Sequence, residues 1–346
     1  MTAPRLPIYL LWTPALRSAH AERLRPLVDH RLVLAATGRH ADWDDAARTT
    51  AAVEVVESEL AELVARVRAE PPAVLEVTEP LWRAQWGSAL RLIEAAGGRS
   101  RVVSYAIDEL AGVGEPVDAG ALDALAFGTA AAAAAYERTF PTARWRSRVT
   151  PERRARCARC FPADATAAPA EREVVLAAEL SVRKGVDLLL EAWTSLGAAA
   201  QGWRLRLLGW GPLVERARVV AAGRDDLEVA GLVDRAQVHD ALRRAAVVVL
   251  ASRRVEGWRE QVGLSLVEGL AHGCRLVTTT ETGLAAGLAA QGHEVVRAGD
   301  AAALAAGLGR AMGTAGPRTP LPDKVLPPAG TDSRHLATRW LAGEPD

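Results

Sequence analysis

Cysteine, lysine and long apolar runs are scarce in this 346-residue chain. Its three cysteines, Cys157, Cys160 and Cys274, cannot build a disulfide framework, and the CARC stretch offers only two of the four ligands of a structural zinc site. No run reaches the roughly 20 apolar residues of a membrane-spanning helix. The N-terminal stretch also lacks the apolar core and cleavage site of a signal peptide. We therefore expect a cytoplasmic protein that is not stapled by disulfides.

The charge balance argues against a nucleic-acid binder and a disordered chain. The formal net charge is +0 and the hydrophobic fraction is 49%. Only Lys184 and Lys324 among the 42 basic residues are lysine, and this arginine and alanine bias is typical of a GC-rich bacterial genome. The length favours two domains, each with its own core.

The first half of the chain alternates between apolar strand-like runs and helical runs. The strand candidates are PIYLLW, HRLVLAATG, VEVVE, PAVLEVTEP and RVVSYAIDEL. Helix is predicted through DALAFGTAAAAAAYERTF. Such alternation indicates an α/β domain with a parallel sheet covered on both faces, which we assign to residues 1–168.

The second half repeats this pattern more regularly. Strands are predicted at VVLAAEL, WRLRLLG, LEVAG, AVVVLAS, CRLVTTT and HEVVRAG, with Asp234 and Asp300 capping two of the helices between and after them. The succession predicts a doubly wound domain over residues 169–326. In the tail, 327–346, a last helix is expected to cross back to the first domain, with Leu336, Trp340 and Leu341 on one face.

A basic segment precedes the domain boundary. Residues 142–161 carry seven arginines, beginning at Arg144 and ending at Arg159, with Glu152 as the only acid. A solvated face is favoured, because no apolar anchor accompanies the charge. The alternatives are contact with an anionic acceptor and peripheral contact with anionic lipid headgroups at the inner face of the membrane.

Two glutamates mark the stretch RRVEGWREQVGLSLVEGLAHG. Helical spacing from Val262 to Ala271 places Glu260 in the loop before a helix and Glu268 about two turns in. A carboxylate on a mostly apolar helix needs hydrogen-bond donors when it is buried, and ligand hydroxyls are one source. The alternative is a favourable charge at a helix end for Glu260 and a solvated or Arg-paired Glu268.

Other polar and glycine residues fall at the same predicted edge of the second sheet. They are Lys184 before Gly185 at a helix entry, and the Gly209 to Gly211 loop. Helix N-termini, close backbone approach and a point charge together suit a diphosphate, and Arg183 adds a planar guanidinium. Nearby carboxylates could accept hydrogen bonds from sugar or ribose hydroxyls.

RKGVDLLLEAW, LRLLGWGP, EVAGLV and EQVGLSLVEGLAHGCRLV together resemble the donor domain of retaining GT-B glycosyltransferases of the large family 4 type. The resemblance implies two Rossmann-like doubly wound domains that face each other across a cleft. It implies that Lys184 binds the donor diphosphate and that Glu260 holds the donor sugar hydroxyls. It further implies that Glu268 binds the ribose. The remaining donor-side residues that it implies are Gly209, Gly211, Val229, Gly231, Gly263 and Leu264.

The chain departs from this family in two places. Many relatives have Gly-Arg-Leu where this chain has Ala178-Glu179-Leu180, so Arg183 is the expected substitute for a diphosphate arginine. Many relatives also place a His before Asp near the reacting sugar, where this chain has Ile107. Asp108 and His20 are therefore the acceptor-side candidates.

The expected reaction moves a sugar from a nucleoside-diphosphate sugar, a co-substrate, to an acceptor hydroxyl with retention. No cofactor or metal is expected, because no Asp-x-Asp element is placed to require a cation. The acceptor is a small molecule, glycolipid or polysaccharide precursor, and nucleic acid is not expected as a partner. Two alternatives remain: a GT-B sugar-nucleotide epimerase, and a non-catalytic nucleotide-sugar-binding partner of another transferase.

Overall fold

The structure is a computed structural model, and it describes residues 5–13, 24, 27–37, 53–77, 83–106, 120–142, 144–150, 171–255, 258–316 and 333–344. The chain divides into two compact units. Unit one comprises Met1–Glu152 and Gly330–Asp346, and unit two comprises Arg153–Ala329. The predicted boundaries at residues 168 and 327 lie outside the described residues and stay predictions.

Unit one is built on a seven-stranded parallel sheet. Its strands are β1 (Ile8–Thr13), β2 (Arg31–Ala36), β3 (Val53–Glu57), β4 (Val74–Val77), β5 (Arg101–Ala106), β6 (Ala124–Phe127) and β7 (Arg146–Val149). They lie in the order β3-β2-β1-β4-β5-β6-β7, and each neighbouring pair is parallel. The central strands are buried on both faces, as their continuous apolar runs predict.

The first three described helices also belong to unit one. They are α1 (Leu60–Ala69), α2 (Arg83–Ala96) and α3 (Ala130–Thr139). Leu63 and Val67 of α1 pack with Ala89 and Leu92 of α2 in a core that also holds Trp12 of β1. This helix layer therefore covers one face of the sheet.

The prediction of helix through DALAF is wrong, because Ala124–Phe127 form strand β6. Small residues favour a helix locally, but this run is buried between β5 and β7 and pairs with both. Tertiary pairing overrides the weak local preference. The helix begins only after Thr129, whose hydroxyl accepts a hydrogen bond from the Ala132 N–H at 3.0 Å.

Unit two contains a six-stranded parallel sheet. Its strands are β8 (Glu171–Ala177), β9 (Arg204–Leu208), β10 (Leu227–Gly231), β11 (Ala245–Leu250), β12 (Arg275–Thr279) and β13 (Glu294–Val296). They lie in the order β10-β9-β8-β11-β12-β13, and all neighbouring pairs are parallel. The order reverses direction between β8 and β11, so these two strands flank the topological switch point of a doubly wound sheet.

Six described helices cover this second sheet. They are α4 (Val186–Leu196), α5 (Val214–Ala221), α6 (Arg235–Arg244), α7 (Leu264–Ala271), α8 (Ala285–Ala290) and α9 (Ala301–Gly313). The predicted caps are confirmed, since Asp234 accepts from the Gln237 N–H and Asp300 accepts from the Ala303 N–H. Two apolar cores result, one on each face of the sheet.

The last described helix, α10 (Ser333–Ala342), belongs to unit one. Ala337 and Leu341 are buried in a core with Tyr9 and Leu11 of β1, and Trp340 packs against it. Leu336, which is predicted to share a face with Trp340 and Leu341, is 43% exposed. No helix in the described part of the chain is both long enough and apolar enough to span a bilayer.

Candidate functional site

The candidate site lies at the switch point of unit two, where the loops after β8 and β11 touch. The Arg253 N–H donates to the Arg183 carbonyl at 3.0 Å, which joins the two loops through their backbones. Gly185 has a φ of 70°, and a Cβ there would lie 1.9 Å from the Ala251 carbonyl oxygen. Only glycine fits such an approach, so Gly185 sets how closely the two loops pack.

Lys184 and Glu260 meet across these loops. The Lys184 Nζ donates to Glu260 Oε2 at 2.5 Å, and their side chains are 15% and 9% exposed. Ser252 Oγ donates to the same carboxylate oxygen at 2.9 Å, and the Gly263 N–H donates to the other at 3.1 Å. Three donors thus fix a buried carboxylate that the sequence predicts beside the donor sugar.

Glu260 is also held through its backbone. Its carbonyl accepts from the Gly283 N–H at 3.0 Å, and a Cβ on Gly283 would lie 2.0 Å from the Gln261 carbonyl oxygen. The loop after β12 therefore packs directly against the loop that carries Glu260. Glu260 is therefore held through its backbone as well as through its side chain.

Arg183 lies beside this ion pair but has a different carboxylate partner. Its guanidinium pairs with Glu179, four residues earlier in the chain. Its Cζ also lies 4.4 Å from the centre of the Trp258 ring, and the Lys184 Nζ lies 4.9 Å from the same ring. The structure thus gathers two cations, two carboxylates and one indole at the switch point.

A second ion pair braces the same two loops. The Arg253 guanidinium donates to Asp187 at 2.8 Å and to the Val182 carbonyl at 3.0 Å. Asp187 lies in the first turn of α4, where a carboxylate also interacts favourably with the helix dipole. This pair positions the backbone next to Lys184 and Arg183.

The glycines predicted for the donor loop are required by close backbone contacts. A Cβ on Gly209 would lie 1.9 Å from the Ala178 carbonyl oxygen, and a Cβ on Gly211 would lie 2.6 Å from that of Leu180. The Gly209 N–H donates to the Gly231 carbonyl at 2.8 Å. The loops after β8, β9 and β10 are therefore packed together, and Trp210 is left 66% exposed between the two glycines.

The N-terminus of α7 follows Glu260 directly. Gly263 is its N-cap residue with a φ of 67°, and Leu264, the first helical residue, is 39% exposed. The first N–H groups of a helix have no intrahelical acceptor and attract anions. This end of α7 therefore suits a phosphate or a sugar oxygen beside Glu260.

Glu268 lies within α7 and is 8% exposed. Arg235, the first residue of α6, contacts both carboxylate oxygens, at 2.6 and 3.3 Å. The same guanidinium lies 3.4 Å from His239 Nε2, and His239 Nδ1 lies 2.9 Å from His272 Nε2. Because Arg235 follows β10 by four residues, it links the Val229 to Gly231 edge with the predicted ribose carboxylate.

The acceptor-side candidates cannot be placed in the same way. His20, Ile107 and Asp108 lie outside the described residues, so their predicted roles stay predictions. Of the basic segment, Arg144, Arg146 and Arg148 are described, and the last two lie on β7, which the sequence did not predict as a strand.

Several residues of the site were not singled out from the sequence. Ser252 could have been predicted, because it is a polar residue at the end of the apolar run AVVVLAS, and the carboxyl ends of such strands face the ligand. Trp258, Asp187 and Arg235 could not, because their partners are distant in the chain. In the described part of the chain, no group of three or more His, Cys, Asp or Glu side chains is arranged to hold a metal ion.

Comparison with known proteins agrees with this geometry. Residues 171–313 match the family described as Glycosyl transferases group 1. A 116-residue stretch is 31% identical to WcaL of Salmonella typhimurium, which carries the name of a colanic acid biosynthesis glycosyltransferase. That stretch is 32% of this chain and 29% of WcaL, so the chain matches less than a third of that relative's length.

Solved structures extend the similarity to nearly the whole chain. A glycosyltransferase from Rickettsia africae has a TM-score of 0.69 at 11% identity, over 98% of this chain and 94% of that one. A sucrose-phosphate synthase from Thermosynechococcus elongatus has a TM-score of 0.63 at 15% identity, over 96% and 94%. WaaG, a glycosyltransferase involved in lipopolysaccharide biosynthesis, has a TM-score of 0.63 at 12% identity, over 98% and 96%.

At these identities the structural matches show the fold alone, and that fold agrees with the two parallel sheets described above. The chain therefore has the GT-B fold of two Rossmann-like α/β domains, and its segment 171–313 matches the family described as Glycosyl transferases group 1.

Proposed function

We propose that this protein is a glycosyltransferase that takes a sugar from a nucleoside-diphosphate sugar and transfers it to an acceptor hydroxyl. The observation that carries the proposal is the buried Lys184–Glu260 pair at the switch point of a Glycosyl transferases group 1 domain. Ligands of doubly wound sheets bind at such switch points. A cation for the diphosphate and a carboxylate for sugar hydroxyls stand there side by side.

Lys184 and Arg183 would stabilise the leaving diphosphate. Negative charge develops on the diphosphate as the glycosidic bond breaks, and preorganised cations and helix N-termini stabilise such charge. Both cations are neutralised by carboxylates in this structure, Lys184 by Glu260 and Arg183 by Glu179. A diphosphate would therefore exchange places with carboxylates that already hold the cations in the site.

Glu260 would then bind the donor sugar. When Lys184 turns to the diphosphate, Glu260 keeps its donors Ser252 and Gly263. These two bonds leave the carboxylate oriented and with lone pairs free for sugar hydroxyls. Glu268 would take the ribose hydroxyls, and Arg235 would have to share or leave that carboxylate.

The finer features of the reaction are part of the same proposal. We propose retention of anomeric configuration, with an oxygen of the leaving diphosphate taking the acceptor proton, and a reaction that needs no metal ion. His20 and Asp108 remain the candidates on the acceptor side. Residues Arg144 to Arg159 are proposed to contact anionic lipid if the acceptor is a glycolipid, with the protein in the cytoplasm or at the inner face of the membrane.

The test is a transfer assay with the purified chain. Nucleotide sugars are incubated with candidate acceptors, released nucleoside diphosphate is measured with and without EDTA, and the product anomer is read by NMR. We expect release of nucleoside diphosphate that requires an acceptor and persists in EDTA. The product should have the same anomeric configuration as the donor sugar. Glu260→Ala should abolish transfer while nucleotide binding largely remains, and unchanged turnover in that variant would remove Glu260 from the mechanism.

The Glu179–Arg183 pair favours one other outcome, a non-catalytic protein that binds nucleotide sugars for a partner transferase. In such a protein Glu179 would keep Arg183 paired, so that Arg183 would not bind the diphosphate. Nucleotide-sugar binding without any transfer or hydrolysis across the acceptor panel would support it. Turnover of the nucleotide sugar without acceptor would instead support the epimerase.

A further inference from the structure

Trp258 is the side chain around which the two cations of the site converge. The Arg183 Cζ and the Lys184 Nζ lie 4.4 and 4.9 Å from the centre of its ring. Both distances are within the roughly 6 Å at which an aromatic face attracts a cation. The Trp258 backbone is itself fixed, because it exchanges two hydrogen bonds of 3.1 Å with Val255.

The carboxylates of the site do not explain this convergence. Arg183 pairs with Glu179, four residues earlier in its own loop, whereas Lys184 pairs with Glu260 across the switch point. Two adjacent cations repel each other, and separate carboxylates would draw them apart. Among the residues that the structure describes, Trp258 is the side chain that both cations contact.

An aromatic ring also differs from a carboxylate in what it leaves free. A carboxylate occupies the N–H donors that a phosphate needs, and it must be displaced when an anion binds. A ring attracts the charge through its face and does not compete as a lone-pair acceptor for the in-plane donors of a guanidinium. The contact with Trp258 can therefore persist while phosphate oxygens replace Glu179 and Glu260.

We infer that Trp258 is a positioning residue for the diphosphate of the donor, which it serves by holding Arg183 and Lys184 together. The inference rests on the proposed function, since it concerns the same site. It assigns to Trp258 a role in affinity for the diphosphate alone, and none in affinity for the base or ribose.

The test is isothermal titration of the full chain with ADP, GDP and UDP and with the three matching nucleosides. Trp258→Leu removes the aromatic face, and Trp258→Phe keeps a smaller one. Trp340→Leu is the matched control, because Trp340 of unit one also faces an arginine, with the Arg146 Cζ 5.3 Å from its ring. The melting temperature of each unliganded variant reports whether it is folded.

We expect Trp258→Leu to lower the affinity for the preferred nucleoside diphosphate by about tenfold, and Trp258→Phe to lower it by about threefold. Affinity for the nucleoside should be unchanged in both, and Trp340→Leu should bind both ligands as the wild type does. If Trp258 had a purely structural role, its variants would lose affinity for the nucleoside and for the nucleoside diphosphate alike. If Trp258→Leu does not fold, the diphosphate-to-nucleoside ratio of Trp258→Phe decides.

Two outcomes distinguish a failure of the role inferred for Trp258 from a failure of the proposed function. A wild type that binds no nucleoside diphosphate would overturn the proposed function and the inference with it. A wild type that binds, together with Trp258 variants whose diphosphate affinity is undiminished, would overturn the inference and leave the function standing.

Discussion

Replacing Lys184 by Met and Glu260 by Gln, singly and together, probes the pair that organises the switch point. Met keeps much of the lysine stem without its charge, and Gln keeps the shape of Glu. In Glu260→Gln, the side-chain amide can still accept from the Gly263 N–H, whereas Lys184 loses its only described carboxylate partner. In Lys184→Met, Glu260 retains Ser252 and Gly263 as donors.

The magnitude follows from the burial of the pair. A hydrogen bond to a charged group contributes about 1.5–3 kcal/mol, and the low exposure of both side chains, 15% and 9%, places this pair toward the upper end. Glu260→Gln should therefore cost about 2–3 kcal/mol, because it leaves a largely buried ammonium without its counter-charge. Lys184→Met should cost less, and the double variant should cost less than the sum of the two.

The assay is calorimetric melting of the wild type, both single variants and the double variant in the absence of ligand. A coupling of about 2 kcal/mol should appear as non-additive shifts of several degrees in the melting of unit two. Glu215→Gln is the control, because its pair with Arg218 is solvent-exposed, with side chains that are 76% and 54% exposed. Additive shifts would refute the claim that Lys184 and Glu260 are coupled at the switch point.

Three further predictions concern stability. Burial and the nearby Arg275 lower the pKa of His293 to about 4, from 6.5 when unfolded, so the unfolded chain binds more protons between these values. Protonation of His293 should cost about 3 kcal/mol of stability as the pH drops from 6.5 to 4, so the wild type should lose about 3 kcal/mol more than His293→Asn over that range in calorimetric melting. Burial raises the pKa of Glu173, which destabilises the charged form, so Glu173→Gln should melt higher than the wild type at pH 7; a lower melting temperature would contradict this. Gly185→Ala should cost about 3 kcal/mol or more, because its Cβ would clash with the Ala251 carbonyl, whereas Gly223→Ala, with a similar φ of 75° and no neighbour within 4 Å, should cost about 1 kcal/mol; equal losses in urea unfolding would contradict the close packing of the loops.

The α/β fold and most strands could be predicted from the sequence because they depend on local patterns. LEVAG and VEVVE coincide with β10 and β3, and the caps at Asp234 and Asp300 are present as predicted. The predicted GT-B class is confirmed by the structural comparisons. These features are encoded in runs of four to eight residues and in the side chains that end them.

Strands β6 and β7 could not be predicted in this way. ALAF consists of small and apolar residues that suit a helix as well as a strand, and RSRV is a polar edge strand with no alternating apolar pattern. Both form because β5 offers an unpaired edge next to which β6 can add, and β6 then offers the same to β7. Pairing of this kind is a property of the folded sheet.

The site divides along the same line. Lys184, Glu260 and the glycines of the donor loop carry motif spacing, and the structure brings Lys184 and Glu260 into contact. The side chains that contact these residues in the fold do not belong to a motif with recognisable spacing. Trp258 above both cations and Arg235 on Glu268 are tertiary contacts between segments that the sequence alone gives no reason to pair.

The most direct test of the account is a thermal-shift screen of the full chain and of Lys184→Met against nucleoside diphosphates and their sugar conjugates. A ligand that binds only the folded protein raises its melting temperature, by an amount that grows with concentration over Kd. A donor site built on Lys184 should give a selective rise with one nucleotide sugar in the wild type and a much smaller rise in Lys184→Met. The absence of a rise with any of them, or an equal rise in the variant, would contradict a donor site built on Lys184.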